Sequence, residues 1–230
     1  MDSWESIWQR GSARQIMRDA RVRFEHASLD DLSDAYVSLA SVHYSLVKRY
    51  LVWWKKPLAV WHMWRALQNV RSAYAQGSVK GFSPTQFDIA ARIITKAPNW
   101  LGGNAAVAVS MLNTALFLTD WQPGEMKPHT RALMFITLGE IEGRGGATRQ
   151  AELRYAEARK LIPAIEIEDS EDREKQLVRV MTSIGLFYYD HILEDKYWSK
   201  KLLGRALNLA IQVSKDQEEK IRAELWKRGL

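Results

Sequence analysis

Five histidines and one small group of acids are the side chains with the most chemistry to offer. His26, His43, His62, His129 and His191 are scattered, and none has a second histidine at the one-turn spacing that metal-binding helices use. Asp190-His191, followed by Glu194-Asp195, is the one cluster with acid–base potential. It falls at a helix end, where charged capping is the competing explanation. Gly143-Arg144-Gly145-Gly146 has the glycine density of a phosphate loop, but it follows a helical pattern rather than a strand and lacks the Lys-Ser/Thr pair. The chain has no cysteine, which removes disulfides, thiolate nucleophiles and the usual structural zinc sites together. There is no Gly-x-Ser-x-Gly and no dinucleotide fingerprint. No catalytic, cofactor-binding or metal-ligating residue is therefore expected, and the reading is of a protein that is not an enzyme. A helical enzyme would need a polar pocket around His191 or His43.

Two further groups are arranged for binding rather than for reaction. Arg10, Arg14, Arg18 and Arg21 fall at helical steps, with Ala13, Met17, Ala20 and Phe24 on the neighbouring face. Such a stripe suits phosphate or an acidic protein surface, or is simply the solvated side of an amphipathic helix. Trp53, Trp54, Lys55 and Lys56, with Trp61 and Trp64 after them, put four tryptophans around one helix–helix turn. Hairpin packing, an aromatic partner-binding surface and an interfacial membrane anchor all fit that pattern. Adjacent Trp53 and Trp54 cannot both face one way on a helix, so this is a possible second surface.

The elements that must position these groups are helices. The chain has 230 residues, 47% of them apolar and 26% charged, with ample material for a folded core. The net charge of +6 sits mainly in residues 1–130, which hold 15 Lys/Arg against 10 Asp/Glu; residues 131–230 hold 18 against 17. That surplus is compatible with nucleic acid, anionic lipid or an acidic protein and does not choose among them. Helical periodicity runs through nearly the whole chain, broken at sparse Gly, Pro and Asn sites. The pattern predicts helices over 12–27, 30–54, 57–76, 84–96, 104–120, 129–143, 147–162, 170–193, 196–214 and 216–228. Asp30 and Asn104 are expected caps, and Pro84 an expected first helical residue. Ala97–Thr119 carries no charge and is expected to be a core helix rather than a membrane span. Met1-Asp2-Ser3-Trp4-Glu5 lacks the apolar stretch of a secretory signal, and a cytoplasmic location is expected. Ile165–Glu174, with six acids against one base, reads as an exposed lead-in to the next helix.

Short loops between ten helices imply antiparallel neighbours, hence stacked antiparallel helical hairpins. One hairpin has a specific pattern. Phe135, Leu138, Gly139 and Glu142 are followed by the Gly143–Gly146 turn, then by Ala151, Tyr155, Ala158 and Pro163. Ala151, Tyr155 and Ala158 lie on one helical face; small residues at 139, 151 and 158 let two helices approach, and large ones at 135, 138 and 155 fill the space beside them. This spacing resembles the tetratricopeptide repeat, with Glu142 the one departure, where an aromatic is usual. Met181, Ile184, Gly185 and Tyr188, then Leu203, Ala206 and Ala210, form a looser second match whose second helix is displaced by about two residues. The resemblance covers residues 132–212.

The resemblance implies an all-α, tetratricopeptide-like α-solenoid. A basic, Trp-rich helical region over 1–128 precedes repeat-like helices over 129–230, the two forming one continuous domain. It implies a non-catalytic scaffold that holds a peptide or helix of a partner protein, or a second copy of itself, in a groove lined by first helices of the repeats. By position the groove residues are Ile136, Glu140, Arg144, Arg179, Thr182, Ser183 and Tyr189. Ile136 and Glu140 do not fit the Lys/Asn carboxylate clamp of some family members. The alternative is a peripheral adaptor whose N-terminal half binds anionic membrane or nucleic acid.

Overall fold

The structure is a computed structural model, and it describes residues 13–28, 32–52, 56–76, 84–121, 126–169, 172–192 and 195–230. Every regular element among them is helical. In chain order these are α1 (Ala13–Glu25), α2 (Leu32–Val52), α3 (Lys56–Gln76), α4 (Pro84–Lys96), a 3-10 turn at Asn99–Leu101, α5 (Ala105–Trp121), α6 (Pro128–Arg144), α7 (Thr148–Lys160), α8 (Ile162–Glu166), α9 (Arg173–His191), α10 (Lys196–Val213) and α11 (Lys215–Lys227). No described helix is long and apolar enough to cross a membrane. The chain divides into two compact units, residues 1–118 and 119–230, a division that falls within α5 and upstream of the boundary expected at 128.

In the first unit α2 and α3 pack along their length, with α1 and α4 against α2. Among the buried residues of α3, Ala59, Met63, Ala66, Val70 and Ala73 follow alternating steps of four and three, with His62, Leu67 and Asn69 buried beside them. That is the spacing of a seam between two long helices, with alanine at every seventh position to let the backbones close. Along α2, Leu39, Val42 and Leu46 are buried with Ala20 of α1, and Met17 and Phe24 pack against them. Arg18 and Arg21 of the basic stripe are exposed, while Arg10 lies outside the described residues. Asn104 caps α5 as expected: its Oδ1 accepts from the backbone N–H of Ala106 (3.0 Å) and Val107 (3.2 Å). The cap expected at Asp30 lies outside the described residues.

The segment expected to be one core helix over 97–119 is different in kind. Its first part lies past the end of α4 and holds the 3-10 turn, closed by Gly102 at φ 106°, and Trp100 is exposed. The α5 helix that follows buries only one face, with Ala108, Met111, Leu112, Ala115 and Leu116 inside and Val107 and Phe117 outside. Low charge in this stretch marks a two-sided helix with an uncharged outer face that includes Ser110, Asn113 and Thr114, not a helix buried all round.

In the second unit α6 packs on α7, α9 packs on α10, and α9 also touches α6 and α7. The Gly-rich turn ends α6 through two backbone bonds, Gly146 N–H to Gly143 O (3.0 Å) and Ala147 N–H to Glu142 O (2.9 Å). Gly146 at φ 83° supplies the left-handed residue that this closure demands. Pro163 does not terminate α7; it sits in the first turn of the separate short helix α8, where its missing N–H costs nothing. The acidic segment after it is not simply exposed. Ile165 is fully buried, and Glu168 is buried where its carboxylate meets the α6 N-terminus, taking the His129 ring Nδ1 at 2.7 Å and the His129 backbone N–H at 3.3 Å. Two orphan donors at a helix start explain why an acid in that segment turns inward.

Candidate partner-binding surface

The close approach inside each hairpin of the second unit is made by one glycine. A Cβ on Gly139 would stand 2.7 Å from the Tyr155 ring and 3.3 Å from the Ala151 carbonyl oxygen. A Cβ on Gly185 would stand 2.7 Å from Leu203 Cγ and 3.5 Å from the Ser199 carbonyl oxygen. The two sites correspond residue for residue. Ala151, Tyr155 and Ala158 on α7 have the same spacing as Ser199, Leu203 and Ala206 on α10, and five of these six are nearly or fully inaccessible, with Tyr155 close behind. Ser199 takes the place of an alanine by donating its hydroxyl to the Asp195 carbonyl at 2.7 Å, which satisfies the buried oxygen within its own helix. Ser199 is the residue that sequence reasoning missed. The signal was present as a small residue four before Leu203 and seven before Ala206, obscured because it stands 14 residues after Gly185 where Ala151 stands 12 after Gly139.

Tyr155 also joins the two hairpins. Its ring stacks on Phe187 of α9 with centroids 4.0 Å apart and planes inclined by 10°. Burial holds the Tyr155 phenol well above its ordinary pKa, with Glu140 adding to the shift and Arg144 opposing it. The hairpins meet a second time where Arg159 of α7 lies over the Trp198 ring of α10 at 3.8 Å, and Tyr188 of α9 meets Trp198 edge-on at 5.6 Å. Burial raises the Tyr188 phenol as well, against the pull of Arg159. At the far edge, α11 buries Ile221, and Arg228 grips Asp190 of α9 with two parallel bonds of 2.7 and 2.6 Å while also meeting Glu224 at 2.7 Å. Those bonds raise the Arg228 guanidinium pKa, and bonds from Lys227 and then Arg228 hold Glu224 low.

The expected groove residues fall into two groups. Arg144 and Arg179 are exposed, and Glu140, Thr182 and Ser183 are half-buried on α6 and α9. Thr182 Oγ1 is buried and has no hydrogen-bond partner among the described residues. Ile136 does not line an open trough: it is 3% exposed and belongs to the core between α6 and α9, because a β-branched apolar residue next to a packed helix is drawn inward. Tyr189 is turned toward α10, its ring facing the ammonium groups of Lys196 (5.4 Å) and Lys200 (6.0 Å).

No protein-family model, curated protein or solved structure matches the chain.

The other chemical candidates can then be placed. His191 is exposed at the end of α9 and tilts against the Phe187 ring at 5.0 Å. His43 and His62 are buried and face each other across the α2–α3 seam, Nδ1 to Nδ1 at 2.8 Å. Burial, then the neighbouring His62 and two arginines, pushes His43 down to about 3, and burial lowers His62, so both rings are neutral near pH 7 and one donates to the other. Among the described residues no three His, Asp or Glu side chains gather as a metal site. Trp53, Trp54 and Lys55 lie outside the described residues; Lys56 is exposed, and Trp61 and Trp64 on α3 are 45% and 41% exposed.

Proposed function

We propose that the chain is a non-catalytic scaffold that holds a peptide or helix of a partner protein against the outer faces of α6 and α9, in the manner of tetratricopeptide-like repeats. The observation that carries this reading is the duplicated closure, Gly139 on Ala151 and Tyr155, then Gly185 on Ser199 and Leu203. Two hairpins built on one contact plan, the second resting on the first through Tyr155 and Phe187, are what a repeat architecture requires. On the first helices of the two hairpins Arg144 and Arg179 are exposed and Ser183 and Glu140 half-buried, a mixed-charge set that would select a partner by complementarity at its rim.

The test is a paired charge reversal, Arg144→Glu with Arg179→Glu, in the full chain. Circular dichroism and melting should stay unchanged, since both residues are exposed. Proteins recovered with the wild type by affinity capture and mass spectrometry should be depleted in the variant. Undiminished recovery with an intact fold would put the binding surface elsewhere. A concentration-dependent mass in light scattering, lost in the same variant, would make a second copy of this chain the partner.

One observation favours a second reading. Leu58, Trp61 and Trp64 share an exposed face of α3 with Lys56 near its start, a combination suited to the headgroup layer of an anionic membrane. Binding to phosphatidylserine vesicles that is strong at low salt and lost in Trp61→Ser/Trp64→Ser would support it. Vesicle binding that ignores both changes would remove it.

A further inference from the structure

Three helices of the first unit line a half-open cavity of about 680 Å³, within the range of small-ligand sites. Its apolar wall is drawn from one face of each helix: Leu67 and Val70 of α3, Phe87 and Ile94 of α4, Val107 and Met111 of α5. At its edge stands a single charged group, Arg71. The lining holds no carboxylate, and among the described residues Arg71 has no ion pair. The one acid of α4, Asp88, is paired with Arg92 at 2.7 Å.

The room around the guanidinium is built into the backbone. Gly102 closes the 3-10 turn at φ 106°, and a Cβ there would stand 2.7 Å from an Arg71 terminal nitrogen. The next residue, Gly103, lies so close to the end of α4 that a Cβ would stand 1.9 Å from the Ala97 carbonyl oxygen, so the turn needs glycine at both positions. Asn104 is committed to capping α5 and leaves the rim to Arg71. An apolar chamber with one guanidinium at its mouth, free of ion pairs among the described residues, matches a ligand with an apolar body and one negative end. The planar fork of arginine pairs a carboxylate through two parallel bonds, and a single cation balances a single negative charge better than the double charge of a phosphate monoester.

We propose that this cavity binds a small amphipathic carboxylate, the apolar body lying between α3, α4 and α5 and the carboxylate held by Arg71. The site is in the first unit and is independent of the proposed partner-binding surface.

Calorimetric titration of the full chain with decanoate, kept below its micelle concentration, tests it. Saturable binding of one decanoate per chain is expected, with decanol weaker by about tenfold or more for want of the charged pair. Arg71→Gln should bring decanoate down to the decanol level without changing the circular dichroism, because Arg71 is exposed. Ser110, exposed on the rim, provides a second variant that leaves the core untouched: Ser110→Trp should block both ligands. Absence of saturable binding, equal affinity for decanol, or decanoate binding undiminished in Arg71→Gln would overturn the proposal. Tighter binding of decyl phosphate than of decanoate would overturn the carboxylate assignment.

Discussion

The hairpin α2–α3 and the hairpin α6–α7 bring two helices together by different means. In the first, two helices of 21 residues each close along a seam in which Ala59, Ala66 and Ala73 recur every two turns. Its interior also accepts a buried polar pair, His43 and His62. In the second, helices of 17 and 13 residues meet at one closest point, where Gly139 lies under the Tyr155 ring. Alanine spreads a moderate approach over a long contact; glycine concentrates a closer one and lets a large ring lie flat across the backbone. The long seam has many contacts to share a disturbance. The short hairpin depends on one, and the same Tyr155 carries the contact to the next hairpin through Phe187.

Breaking the glycine contact should therefore have the largest effect. Gly139→Trp cannot be accommodated, because even a methyl group would stand 2.7 Å from the Tyr155 ring. The second unit is expected to unfold or become loosely packed, a loss well above the roughly 1–3 kcal/mol of ordinary overpacking. Hydrogen exchange of α6, α7 and α9 amides would report it, with α2 and α3 still protected. An unchanged melting profile would mean that the close approach is misplaced. Gly185→Val should repeat the outcome in α9 and α10.

Ala66→Leu asks the same question of the alanine seam. Ala66 is fully buried, but the added atoms can be shared along two long helices. The expected cost is about 1–3 kcal/mol, with the first unit still folded. It is read as a shift in the urea midpoint at unchanged slope. A loss as complete as that of Gly139→Trp would erase the distinction between the two hairpins.

What the sequence disclosed follows the same contrast. The ten long helices among the described residues could be placed from apolar periodicity and breakers, because each buries one face and several border a Gly, Pro or capping residue. Gly139, Ala151, Tyr155 and Ala158 were legible as a set, since a fixed spacing of small and large residues has few other uses. Ser199 was not, because a serine reads as polar until its hydroxyl is seen bonding to Asp195 within the helix. The alanine seam of α3 escaped notice because alanine is common in any helix. Glu168 and Ile165 were misjudged because a local count of acids cannot foresee the α6 N-terminus, 39 residues away in sequence at His129. The face of Ile136 and the direction of Tyr189 depend on the neighbouring helix, which periodicity does not supply.

The buried histidine pair gives the first unit a dependence on pH. His43 titrates near 6.5 when unfolded and near 3 when folded, so below pH 6.5 the unfolded chain holds a proton that the folded one refuses. Stability is full above that value and falls by about 1.4 kcal/mol per pH unit as the solution is acidified. At about pH 5 the loss reaches roughly 2 kcal/mol, and His62 adds to it in the same direction. Protection of α2 and α3 amides should fall between pH 7 and pH 5. In His43→Leu/His62→Leu that decline should flatten. A wild-type profile that is already flat would mean that the rings are solvated.

The smallest effect is expected where the second unit ends. The Arg228 guanidinium binds Asp190 through two bonds and Glu224 through a third, tying the end of α11 to α9. Its side chain is 21% exposed and that of Asp190 35%, so water weakens the pair without abolishing it. Arg228→Ala should cost about 1 kcal/mol, and Arg228→Lys most of that, since an ammonium cannot make the paired bonds. The loss should be local. Amides of α11 should exchange faster while those around Gly139 and Gly185 do not change, because Ile221 still holds α11 in the core. If α6 and α7 also lost protection, the terminal clasp would be supporting the whole unit, and the glycine contact would no longer be the point on which its hairpins depend.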